Sequence, residues 1–107
     1  MDAIYRFAEH VIEYKFADLP PEAVTAAKVF LLDTLGVGVA GSSGPFVDGL
    51  IDSQRLSASG DQARVWVSGT RLSAAGAALC NSYQIHNSEF DCVHEAAVVH
   101  TMTVITA

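Results

Sequence analysis

The chain has 107 residues, half of them apolar and 17% charged, with a formal net charge of -6. That length is about one small domain, and the charge, with its basic residues scattered, excludes general nucleic-acid binding, which needs clustered Lys and Arg facing phosphates. The apolar fraction and the positive mean hydropathy exclude disorder and imply that much of the surface is covered in use.

Cys80 and Cys92 lie twelve positions apart outside any CxxC pattern, and no basic-then-apolar leader opens the chain. A disulfide framework is therefore not expected, and a reducing cytoplasm fits best. The most apolar run, Val29 to Ala40, is interrupted by Asp33 and is shorter than the roughly 20 residues a bilayer requires, so no membrane span is expected.

In chain order, Ile4, Phe7, Ala8, Val11 and Ile12 follow the i, i+3, i+4, i+7 rule, with Asp2, Arg6, Glu9 and Glu13 on the opposite face, which predicts a first amphipathic helix. "ADLPPEAV" breaks it and starts a second, from about Pro21 to Val39, with Glu22 where the helix dipole favours an anion. This second helix is apolar nearly all round, as a buried central helix would be. Gly36, Gly38 and Gly41 near its end permit close backbone approach.

"SSGP" ends the second helix, and Pro45 is placed to open a third that reaches about Ser57. "ARVWVSG" alternates and is rich in β-branched and aromatic residues, as an extended segment is. It either pairs with chain outside this sequence or connects two helices. Ser73 is a good N-cap for a fourth helix of small residues running through "AAGAALCNSYQIHNSEF", and Ala96 to Ala107 begins another. The fold class expected is all-α, a helical bundle with one short extended segment. Met1 and its helix read as a natural start, while "VVHTMTVITA" breaks off in apolar sequence without a capping signal. The expectation is an N-terminal piece of a longer protein.

Chemistry concentrates in "HNSEFDCVHEAAVVH", residues 86 to 100, where three histidines, three acidic residues and a cysteine meet. A zinc-protease helix is the first reading to test, because "HEAAVVH" resembles HExxH. It fails on spacing: position 98 is Val98, and His100 lies six residues after His94, about 240° round a helix rather than the about 40° that puts two ligands on one face. Cys92 has no basic neighbour to lower its pKa and reads as a packed thiol. The remaining readings are a solvated loop or a cleft lined by helix ends, in which Asn81 and His86 close one helix, Glu89 and Asp91 form a carboxylate turn and His100 begins the next helix.

Three stretches, "LPPEAVTAAKVFLLDTLGVGVAG", "RLSAAGAALCNSYQIH" and "HNSEFDCVHEAAVVH", resemble in order the MmgE/PrpD family, whose members include 2-methylcitrate dehydratase, cis-aconitate decarboxylase and iminodisuccinate epimerase. The resemblance implies a large all-helical domain assembled from N- and C-terminal parts, an α/β lid and a cleft between them. Residues 1–107 then form part of the N-terminal helical portion. It also implies homodimers that act on small di- or tricarboxylates, without a metal or other cofactor, by moving a proton next to a carboxylate.

Carried over by position, Glu89 stands where the family has the first Asp of its Asp-Phe-Asp-Asp-Thr pattern, and Asp91 matches the second acidic position. His100 matches the site His that usually precedes Pro, His86 the His that opens the motif and Asn81 an Asn of the preceding helix. The resemblance thus implies His100, Glu89 and Asp91 as catalytic and His86 and Asn81 as substrate-binding. The sequence departs from the pattern at Glu89, Cys92, Val93 and Thr101, so a particular substrate does not carry over.

From the residues themselves, His100 is the first choice of base, since imidazole titrates nearest working pH, and an adjacent acid would fix its tautomer. No Arg follows Arg71, so the cations that a polycarboxylate needs are expected from elsewhere, and the 107-residue piece is expected to be inactive. Two rivals stay open: a non-catalytic helical interaction module with an exposed apolar face, and a metal-binding helical domain.

Overall fold

The computed structural model describes residues 2–107. Five α-helices account for most of them: α1 (Ala3–Glu13), α2 (Pro21–Gly41), α3 (Val47–Ser57), α4 (Ala74–His86) and α5 (Thr101–Thr106). A 3-10 turn at Phe16–Asp18 precedes α2, and β1 (Ala63–Arg64) pairs with β2 (Arg71–Leu72) in an antiparallel hairpin between α3 and α4. The all-α expectation holds. Met1, read above as a natural start, lies outside the described residues.

The helix starts follow local chemistry. Asp2 accepts the backbone N–H of Ile4 at 3.2 Å and caps α1, and Ser73 Oγ accepts that of Gly76 at 3.1 Å and caps α4. Pro21 opens α2, where the missing N–H would have had no partner. Pro45 does not open α3, contrary to expectation: Phe46 intervenes in a left-handed conformation (φ 65°) and the helix begins at Val47.

The extended segment is shorter than predicted, and its partner lies within the chain. Val65 donates to the carbonyl of Thr70 and Gly69 to that of Val65, so the chain turns back after two strand residues, with Gly69 at φ +68°. The hairpin packs on α4. Val47, Ile51, Val65, Leu72, Ala77 and Cys80 form the buried core between α3, the hairpin and α4.

The largest helix contact is α2 on α4. Small residues make it possible: a Cβ at Gly41 would overlap the carbonyl of Gln84, and one at Gly38 would come within 2.8 Å of the Trp66 ring. Asn87 Nδ2 closes the crossing with a 2.8 Å bond to the Gly41 carbonyl. The predicted burial of α2 on all sides does not hold. Only Thr34, Gly38 and Gly41 are buried, while Val29, Phe30, Leu32 and Val39 stay exposed, because the main packing of α2 among the described residues is against α4 and α5, which leaves much of the helix surface uncovered. At 21 residues α2 is, by length and composition, long and apolar enough to cross a membrane, so the argument from a short apolar run fails. Helix α1 likewise leaves Ile4, Phe7, Val11 and Ile12 exposed.

Candidate functional site

Helix α4 ends at His86, with Asn87 as its C-cap. The turn that follows passes through Glu89 in the left-handed region (φ 51°), an uncommon conformation for a residue with a Cβ, and delivers Asp91 beneath the helix end. Residues 94–99 then close a tight turn, in which His94 N–H bonds the Val99 carbonyl at 2.9 Å and Val98 is also left-handed (φ 50°). This turn sets His100 at the entrance of α5.

The three segments meet on one carboxylate. The Asp91 side chain has no exposed surface. His86 Nδ1 lies 2.9 Å from Oδ1, His100 Nδ1 lies 3.0 Å from Oδ2, and the Thr103 hydroxyl donates to Oδ2 from the first turn of α5. The two imidazoles stand edge to face, with ring centroids 4.6 Å apart. Their side chains keep 45% and 34% of their surface exposed, so with each Nδ1 turned inward it is the far edge, carrying Nε2, that faces out.

Burial alone pushes the Asp91 carboxyl up, but hydrogen bonds from Thr103, His86 and its own backbone N–H, with the attraction of a charged His86 imidazole, together hold it below the ordinary aspartate value. Asp91 is thus an ionised, buried acceptor. Proximity does not make every contact equal: His100 Nδ1 is within reach of Oδ2 but off the direction of a hydrogen bond, and it is buried without a partner.

Of the residues singled out in the sequence, His86, Asp91 and His100 come together. Glu89, two residues from Asp91, is exposed on the turn, and its backbone N–H bonds the His86 carbonyl. Asn81 lies elsewhere: buried on α4, it accepts the Trp66 N–H at 2.9 Å and donates to the Arg64 carbonyl at 3.3 Å, so both ends of its amide fasten the hairpin. His94 is spent on its own turn, where Nδ1 accepts the Ala97 N–H. Arg64 and Arg71 are exposed and bonded to hairpin and loop carbonyls.

Thr103 was not singled out. Its signal was a hydroxyl in an apolar stretch three residues after His100, a spacing that puts both on one helix side. Ser82 Oγ fixes it further by donating to the Thr103 carbonyl at 3.1 Å.

Two cavities are lined in part by the chain neighbours of Asp91, Phe90 in one and Cys92 in the other. One of about 250 Å³ is lined by Phe30, Cys92, Val93, His94, Thr101 and Met102. The other, an open groove of about 530 Å³, lies between α2 and the turn after α4, with Asp33, Ser88 and Phe90 among its walls.

The same three side chains can in principle hold a cation, since one ligand atom from each of His86, Asp91 and His100 lies within 4.8 Å of the others. Two imidazoles and a carboxylate suit zinc or iron in type. Here the carboxylate oxygens are already engaged by His86 and Thr103, which describes a hydrogen-bonded network.

The family model of the MmgE/PrpD N-terminal domain matches residues 5–107. The chain belongs to the MmgE/PrpD family. It matches no curated protein and no solved structure. Within this MmgE/PrpD domain, Cys92 and Val93, which stand where the resemblance has an Asp and a Thr, line the apolar cavity beside the histidines.

Proposed function

We propose that this chain contributes one wall of the active site of a lyase or isomerase that transfers a proton next to a carboxylate of a small di- or tricarboxylate, in the manner of 2-methylcitrate dehydratase. One observation carries the reading: a buried, ionised Asp91 lies within 3.0 Å of two imidazoles, His86 and His100, whose outer edges remain accessible. His100 is the proton-transferring group and Asp91 the acid that supports it. A positive imidazolium formed during proton transfer is stabilised by the adjacent carboxylate, while the abstracted proton needs no other acceptor at neutral pH. Family membership supports the same reading.

His86 is the second polar contact offered to substrate. Glu89, exposed on the turn, can meet a substrate hydroxyl; Asn81 acts through the hairpin it holds. The reading carries with it a cytoplasmic homodimer. Among the described residues, no Lys or Arg is bonded to the cluster as a partner for substrate carboxylates, so the 107-residue chain by itself should not turn over methylcitrate, cis-aconitate or iminodisuccinate. The test is His100→Gln in the longest polypeptide that the gene encodes, read as turnover on those three compounds and as deuterium uptake at the carbon next to the carboxylate. A loss of at least a hundredfold is expected; unchanged rates would remove His100 from the mechanism.

A second reading, a bound transition metal, is favoured by the closeness of the three ligand atoms. Zinc retained by the protein through a chelator wash, and lost in His86→Ala, would establish it over the hydrogen-bonded network.

A further inference from the structure

Two groups approach Asp91 Oδ2, and only one is aligned to bond it. The Thr103 hydroxyl makes the bond; His100 Nδ1, 3.0 Å away, is buried with no hydrogen-bond partner. Oδ1 meanwhile is held by His86 Nδ1 at 2.9 Å. An ionised carboxylate only accepts, so the His86 bond requires the proton on Nδ1 and locks that tautomer.

His100 has no comparable lock. A proton on its Nδ1 lacks an aligned acceptor, and a lone pair there faces a carboxylate oxygen, so neither neutral tautomer is satisfied. We propose that Thr103 is a positioning residue: its bond to Oδ2 fixes the rotation of the Asp91 carboxylate so that Oδ2 is aligned with Thr103 and not with His100 Nδ1, which divides the two imidazoles into a fixed one, His86, and one free to carry its proton on either nitrogen, His100. The division suits the chemistry proposed above, because a group that takes and returns a proton must not be tied to one protonation pattern. The inference deepens that reading and rests on it for its catalytic meaning, though not for its geometry.

Thr103 is well placed to act this way. It is buried at 8% exposure, and Ser82 holds its backbone carbonyl from α4. The titratable groups around the pair are few. Asp91 comes from the turn and His86 from α4; Glu89, His94 and Glu95 on the connecting segment are exposed; from α2, Asp33 faces the groove walled by Ser88 and Phe90. No hydrogen bond or ion pair from these outer groups to either imidazole is present among the described residues.

The experiment is 15N NMR of the imidazole nitrogens at about pH 8.5, where an ordinary imidazole is neutral, on the chain and its Thr103→Val and Thr103→Ser variants. Unsubstituted protein should show His86 as the Nδ1–H tautomer and His100 as a mixture. Thr103→Val releases the Asp91 carboxylate to turn its Oδ2 towards His100 and should drive His100 to the Nδ1–H form, while Thr103→Ser restores the mixture. An unchanged His100 in Thr103→Val, or the same change in Thr103→Ser, would overturn the proposal. Should Thr103→Val not fold, Thr103→Ala gives the same readout. In the longest polypeptide, Thr103→Val should lower kcat by about tenfold or more with KM little changed and with rescue by Ser. Tautomers that respond as stated, with no turnover or deuterium uptake by the longest polypeptide, would leave the positioning role standing and defeat the lyase or isomerase reading instead.

Discussion

The imidazoles of His86 and His100 meet edge to face, with centroids 4.6 Å apart and planes at 63°, although the two residues lie fourteen positions apart in the chain. They come from the end of one helix and the entrance of another, and Asp91 joins them from the turn between. Proximity of this kind couples the site to the stability of the fold around it.

Asp91 should therefore matter to both. Removing a buried charged acceptor forfeits its hydrogen bonds to His86 and Thr103 and leaves a donor hydroxyl unsatisfied, each charged bond being worth about 1.5–3 kcal/mol. Asp91→Ala should lower unfolding stability by about 2–4 kcal/mol, measured as the urea midpoint. A change below about 0.5 kcal/mol, the range of ordinary surface substitutions, would mean that the network is not formed in solution.

Stability should also respond to acid through the same group. Its carboxyl titrates in the folded protein below the ordinary aspartate value of 3.8. The unfolded chain then binds this proton first, so the contribution is fully present above the unfolded value and is lost as pH falls through the folded one. Urea midpoints taken from pH 6 down to 2 should decline more steeply for the wild type than for Asp91→Asn below about pH 4. Parallel curves would remove Asp91 as the source.

The α2–α4 crossing depends on one missing methyl group. Gly41→Ala places a Cβ against the Gln84 carbonyl and beside the Asn87 amide, which backbone cannot easily yield, so a loss of about 3 kcal/mol or more is expected. Gly36→Ala in the same helix meets nothing within 4 Å and should instead stabilise by about 0.5–1 kcal/mol, the ordinary gain of replacing a helical glycine. Thermal melts of the two variants should shift in opposite directions.

Helix α1 offers Ile4, Phe7, Val11 and Ile12 to solvent at 62–80% exposure. Contiguous apolar surface of this kind drives association, so the chain should sediment as more than a monomer at micromolar concentration and bind an apolar dye. Phe7→Asp with Ile12→Asp should reduce both signals. A monomer with no dye binding would show that α1 folds back on the chain.

Much of the architecture was legible because its causes are local. The period of Ile4, Phe7, Val11 and Ile12 writes α1 directly, and Ser73 announces α4 through a side-chain bond only three residues long. Pro45 misled because a helix start also depends on how the preceding chain arrives, and Phe46 turns left-handed first. The strand at 63–69 was read too long because its alternation gives no information about a partner, and the partner proved to be Arg71–Leu72. The burial of α2 was overestimated because apolar composition states what could be covered, not which neighbours are present to cover it.

The sequence by itself determined the helical class, the family and the short list of titratable side chains, since periodicity, caps and motif order are properties of neighbouring residues. Only the tertiary structure decided which of those side chains share a site. Asn81 turned to the hairpin, His94 closed its own turn, and Thr103, silent in the apolar tail, took the second oxygen of Asp91. The physical reason is that a hydrogen bond is fixed by distance and direction in space. His86, Asp91, His100 and Thr103 acquire both only after α4, the left-handed turn at Glu89 and the entrance of α5 have packed together.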